Sequence, residues 1–174
     1  FGEFNHIILL SCSDLYDREQ ADAHTLVTLI HVRDIARKGE YSFPIVSEIL
    51  DGRNRDLVAS KRASDFVVSE RLVSLTLSQI SERKELGSVF RELFKASGSE
   101  VYFKPASNYV KIENELNFYT VLQSSIQKNE IAIGYRIHSL FENPDNNYGV
   151  VLNPNKSETI TLNENDSIIV LAEN

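Results

Sequence analysis

The residues in this 174-residue chain best suited to chemistry are carboxylates. Asp14, Asp17, Glu19 and Asp22 crowd one short stretch, and Glu48 and Asp51 close a second apolar run. Hard cations such as calcium gather several carboxylate and carbonyl oxygens at once. If the apolar runs preceding these acids are adjacent parallel strands, Asp14, Asp17, Asp22, Glu48 and Asp51 share the C-terminal edge of one sheet. That edge is where open α/β sheets bind ligands. The expectation is a site for calcium or another cation. The same acids also have a structural reading, because carboxylates favour helix N-termini and Asp51-Gly52 is a turn signal.

Other chemistries find less support. Histidines stand at 6, 24, 31 and 138, without the H-x-x-x-H or Cys/His grouping of a zinc site. The seven glycines, at 2, 39, 52, 87, 98, 134 and 149, form neither G-x-G-x-x-G nor G-K-[ST]. A phosphate-cradling turn is therefore not available from this chain, and no organic cofactor is assigned. No G-x-S-x-G elbow is present. No catalytic residue is assigned, and the chain is read as a non-enzyme. Cys12, the single cysteine, rules out an internal disulfide and is expected as a buried, inert thiol behind an apolar run.

Composition narrows the class. Apolar residues make up 42% and charged residues 25%, the profile of a soluble globular protein. A net charge of -7 without a basic stripe argues against nucleic acid as a partner. The longest apolar run, Ile7 to Leu10, falls far short of the roughly 20 residues of a membrane span. The chain starts at Phe1 and holds no methionine, which reads as a piece of a longer polypeptide.

These acids need elements to position them. Ile7 to Leu10 is continuously apolar, the pattern of a strand covered on both faces. A helix is expected from about Glu19 to Lys38, with Leu26, Leu29, Ile30 and Ile35 inward and Gly39 as its stop. Pro44 to Leu50 reads as a strand, Arg53 to Arg62 as a helix and Asp65 to Val68 as a third strand. This β-α-β-α-β order implies parallel strands with right-handed crossovers. Two amphipathic helices follow, one from Ser69 and one carrying Leu86, Val89, Phe90, Leu93 and Phe94. The rest is α+β: strands at Glu100 to Lys104, Tyr109 to Ile112, Ile131 to His138, Gly149 to Leu152 and Ser167 to Ala172. They surround a helix at Phe118 to Lys128, capped by Asn117, with Phe118, Val121, Leu122 and Ile126 inward. The fold class is thus α/β: a partial Rossmann-like parallel sheet (1–69), a helix pair (70–98) and a small C-terminal α+β lobe (99–174).

Several segments, in order, resemble the CASTOR/POLLUX ion channels: QADAHTLVTLIHVRDI from Gln20, IVSEILD from Ile45, SDFVVSERLVS from Ser64, and ELNFYTVLQSSIQKNEIAIGYR from Glu115. The resemblance implies a cytosolic region akin to regulator-of-K⁺-conductance (RCK) domains, belonging to a tetrameric cation channel with a transmembrane pore. It implies a homo-oligomer, either a dimer or a gating ring, with Val89, Phe90, Leu93 and Phe94 at the interface. Calcium-gated RCK channels carry two glutamates one residue apart on the strand matching IVSEIL; here Glu48 is followed by Leu50 at the second place, so that site is not carried over. The short connection from Lys38 to Phe43 favours a bacterial member at the plasma membrane over a plant member at the nuclear envelope. A peripheral Trk-type regulatory subunit of a potassium transporter is the alternative.

Overall fold

The computed structural model describes residues 4–41, 43–57, 66–95, 97–141 and 143–173. Two compact units divide the chain between Lys84 and Glu85.

The first unit opens with strand β1 (Ile7–Leu9), helix α1 (Arg18–Lys38), strand β2 (Ile45–Ile49), helix α2 (Gly52–Leu57), strand β3 (Phe66–Val68) and helix α3 (Ser69–Glu82). The strands form a parallel sheet in the order β1-β2-β3, with Ile7 beside Ile45 and Ile49 beside Val68. The expected α2 end at Arg62 and third-strand start at Asp65 lie outside the described residues.

α1 starts where Asp17 accepts a hydrogen bond from the Gln20 N–H, and it stops at Gly39. Its buried face differs from the apolar face expected. Ala21, Asp22, Thr25 and Leu29 are buried, whereas Ile30 and Ile35 are exposed. Small Ala21 and Thr25 let the helix approach closely, and Asp22 is drawn inward by backbone donors at the end of β2. Cys12 is exposed as well, contrary to the buried thiol expected. β1 ends at Leu9, and Cys12 lies beyond it in a turn whose carbonyl accepts from the Leu15 and Tyr16 N–H groups.

Along β2, Ile45, Ser47 and Ile49 are buried, while Val46, Ile8 beside it and Val67 of β3 are exposed on the other face. Monotonic strand order with right-handed crossovers puts the connecting helices on one side only. The buried apolar residues described in this unit are Ala21, Leu29, Ile45 and Ile49.

The second unit contains helix α4 (Leu86–Leu93), strands β4 (Glu100–Pro105) and β5 (Glu115–Asn117), helix α5 (Phe118–Gln127) and strands β6 (Ile131–Arg136), β7 (Val150–Leu152), β8 (Thr159–Thr161) and β9 (Ser167–Ala172). An antiparallel sheet runs β4-β9-β6-β7, and β5 pairs with β8. Its core joins Ala106, Tyr109, Phe118, Val121, Ala132, Leu162, Ile168, Val170 and Ala172.

Tyr109 to Ile112 is not a strand. A 3₁₀ turn at Ala106–Asn108 consumes its donors, since the Tyr109 and Val110 N–H groups bond to the Ala106 carbonyl. Tyr109 still reaches the core from that turn. On α5, Ile126 is 69% exposed, and Ser125 takes the inward place expected for it. The Ser125 hydroxyl accepts from the Ala132 N–H and donates to the Leu122 carbonyl, which makes a buried polar residue tolerable.

Candidate functional site

The C-terminal edge of the parallel sheet is where the expected carboxylates lie, each fixed by a different element. Asp22, on α1 and fully buried, accepts from the Leu50 N–H (2.8 Å), the Asp51 N–H (3.0 Å) and the Asn54 side-chain amide (2.7 Å). It fastens α1 to the end of β2 and the start of α2. Such charge-assisted bonds are the strong class in proteins.

Glu48 points to the opposite face of β2 and joins two other segments. It accepts from the Ser11 N–H (3.0 Å), in the loop after β1, and from the Ser69 hydroxyl (2.6 Å), at the first residue of α3. A second tie holds that helix start: Arg18 of α1 pairs with Glu70 and donates to the Leu50 carbonyl.

The remaining acids are engaged locally or sit in the open. Asp17 caps α1. Asp51 takes the Arg53 guanidinium, at 2.5 Å to Nη2, and the Arg53 N–H at 2.9 Å. Those hydrogen bonds hold its carboxyl down to about 2. Asp14 lies exposed in the turn after β1. Among the described residues, no three His, Cys, Asp or Glu side chains come together in a way that could hold a metal ion. Asp22 and Asp51 are neighbours through the Asp51 backbone, and Glu48 is separated from them by its face of β2. A cation would have to draw these carboxylates away from their present donors.

Ser11, Ser69, Asn54 and Arg18 carry half of these bonds and were not singled out in the sequence. Their partners lie 21 to 52 residues away, at Glu48, Asp22, Leu50 and Glu70. No local spacing reports pairings of that kind. Beside the edge, the start of α1 and the preceding turn form an open cavity of about 470 Å³ lined by Tyr16, Gln20, Ala23, His24 and Val27. The Tyr16 and His24 rings stack there at 5.3 Å.

The expected interface residues collect on one helix. Val89, Phe90, Leu93 and Phe94 occupy one side of α4 and its C-cap, and the Phe90 and Phe94 rings stack at 6.2 Å. No residue of α4 is buried, and Phe94 is 68% exposed. α3 is alike: Leu72, Val73, Leu75 and Leu77 are all exposed.

Comparison with known proteins bears on what such a set of elements belongs to. The chain is 30% identical to the probable ion channel CASTOR of Oryza sativa subsp. japonica, over 98% of the chain and 22% of that protein. It is 30% identical to the probable ion channel POLLUX of Arabidopsis thaliana, over 97% of the chain and 23% of that protein. The chain is homologous to the CASTOR/POLLUX ion channels. The ion channel POLLUX of Lotus japonicus is 41% identical over 61% of the chain and 12% of its own length. The chain thus spans a quarter or less of the length of these CASTOR and POLLUX relatives. No protein-family model matches it. Among the described residues, no helix is long and apolar enough to cross a membrane.

Proposed function

We propose that this chain is the regulatory, gating-ring region of a CASTOR/POLLUX-like cation channel, which senses a ligand and couples its assembly to pore opening. The observation that carries the reading is similarity to ion channels along nearly the whole chain, in a structure whose described helices cannot cross a membrane. In this reading residues 1–69 are half of a Rossmann-like RCK lobe, 70–98 an assembly arm and 99–174 the C-terminal lobe. The region lies on the cytosolic side of the parent's membrane.

The proposed mechanism is a population shift. A ligand moves such an equilibrium only by binding one state better than the other. The sheet edge suits this role because Glu48 joins the loop after β1 to the first residue of α3. A cation drawing on Asp14, Asp17, Asp22, Glu48 or Asp51 would loosen those ties and free the start of the arm. The arm acts through α4, whose Val89, Phe90, Leu93 and Phe94 pack on a second subunit in this proposal.

Light scattering tests the assembly step. The expected result is a dimer or larger species for the chain, reverting toward monomer in Phe94→Asp with the fold intact by circular dichroism. A strict monomer at high concentration, unaffected by Phe94→Asp, overturns the arm. Calorimetry with calcium, sodium and magnesium tests the sensing step, and absence of both heat and a stability shift with every ion removes the cation site.

A further inference from the structure

The cavity at the start of α1 lies on the side of that helix which the fold does not use. Ala21, Asp22, Thr25 and Leu29 are buried on one face, whereas Gln20, Ala23, His24 and Val27 are exposed on the opposite one. With Tyr16 of the preceding turn, those four exposed residues line an opening of about 470 Å³, within the roughly 300–1,000 Å³ of small-molecule sites. The turn holds Tyr16 in place, because its N–H bonds to the Cys12 carbonyl. The cavity is thus distinct from the sheet edge, which Asp22 faces from the other side of α1.

The walls select a flat ring. The Tyr16 and His24 rings lie 5.3 Å apart at 16° to one another, an offset stack. Tyr16 is 41% exposed, which leaves room for a third ring to extend that stack. Ala23 and Val27 give it an apolar floor. The Gln20 carboxamide and the His24 ring nitrogens have no hydrogen-bond partner among the described residues, so they are free to meet the polar edge of a heterocycle.

The surrounding charge selects the sign. Asp17 adjoins Tyr16, and its carboxylate lies 2.9 Å from the Gln20 backbone nitrogen. Asp14 stands exposed in the same turn. The one cation beside them, Arg18, is drawn away by Glu70 and the Leu50 carbonyl. Neither Lys nor Arg is among the described residues that line the cavity. A phosphate or carboxylate is repelled here, and a cation is attracted both by the acids and by the face of the Tyr16 ring.

We infer that this cavity binds a planar heteroaromatic cation, stacked on the Tyr16–His24 pair with its polar edge toward the Gln20 carboxamide. The site does not draw on the sheet-edge carboxylates Asp22, Glu48 and Asp51, so it stands or falls apart from the proposed cation sensing.

Titration of the whole chain with N-methylquinolinium, followed by calorimetry and by the Tyr and His ring resonances in nuclear magnetic resonance, tests the inference. The expected result is saturable binding that shifts the Tyr16 and His24 rings and weakens as salt rises. Uncharged quinoline is expected to bind about two- to fivefold more weakly, and adenosine 5′-monophosphate not at all. Tyr16→Ala is expected to weaken binding by about tenfold or more, while Tyr16→Phe keeps it. Should Tyr16→Ala fail to fold by circular dichroism, Ala23→Arg replaces it. That change fills the cavity from an exposed helix position with a like charge, and it is expected to abolish binding. Absence of any saturable shift at millimolar probe overturns the inference. So does binding that Tyr16→Ala and Ala23→Arg leave unchanged, or that quinoline or adenosine 5′-monophosphate matches.

Discussion

Replacing Asp22 by alanine removes the acceptor of three donors at once. Hydrogen bonds to a charged group contribute about 1.5–3 kcal/mol each, so the gross loss exceeds 4 kcal/mol by that reckoning. Two effects offset it. The buried carboxylate no longer has to be stripped of water, and the Leu50 and Asp51 amides are only part-buried, so water reaches them once the side chain is gone. The expected net cost is about 3 kcal/mol. Asp22→Asn keeps one acceptor oxygen but turns an amide NH₂ toward the remaining donors, for an expected cost of about 1.5 kcal/mol. Native-state hydrogen exchange is the assay, because it reads the first unit without assuming that both units unfold together. The Leu50 and Asp51 amides should exchange about a hundredfold faster in Asp22→Ala, whereas amides of β9 should not change. Unchanged protection at Leu50 and Asp51 would show that the bracket contributes nothing, and the account of α1 seated by a polar residue would be wrong.

Gly134 allows no side chain, since an added Cβ would lie 2.2 Å from the Val151 carbonyl oxygen. Gly134→Ala should destabilise the second unit by roughly 3 kcal/mol, visible as a lower urea midpoint; an unchanged midpoint would mean that β6 and β7 part freely. Glu130 is held below the usual carboxylate range, chiefly by the Lys104 ammonium at 2.6 Å and then by the Tyr109 hydroxyl. Burial, then Glu130, pushes the Tyr109 phenol up. A depressed carboxylate stabilises fully above its unfolded value, near 4.3, and that contribution is lost as pH falls through the lower folded value. Urea midpoints of the second unit should therefore fall between neutral pH and about pH 3, and Lys104→Ala should shrink that fall; equal acid sensitivity in the variant would exclude the ion pair as its source.

What the sequence made legible follows from how local each signal is. The run Ile7 to Leu10 and the period of α1 are consequences of neighbouring residues, and the structure places β1 and α1 within a residue or so of the expectation. Ser167 to Ala172 agrees residue for residue. The Asn117 cap is as local and equally readable. The inward face of α1 was misread because Leu, Ile and Val outrank Ala, Thr and Asp on any apolar scale. The β2 end instead selects the residue that can bind its free N–H groups. Tyr109 to Ile112 misled for a related reason: its apolar residues do reach the core, but from a turn started by Ala106. The edge residues Asp22, Glu48 and Asp51 were readable as a group, because strand order alone places them there. Their engagement with Asn54, Ser11, Ser69 and Arg53 was legible only for Arg53, two residues from its partner.

Among the described residues, four apolar side chains are buried in the first unit and ten in the second. Core area is the main reserve against unfolding, so a protease should nick the α/β unit first and leave the antiparallel sheet whole. Marginality of this kind has a use. A ligand at a hundred times its dissociation constant adds only about 2.7 kcal/mol to whatever state it binds. Against a deep well that increment changes little, but against a shallow one it decides whether the unit is closed or open. In the proposed reading, the half held at its edge by a few carboxylates is thus the part of the chain that a modest concentration of a small ligand would command.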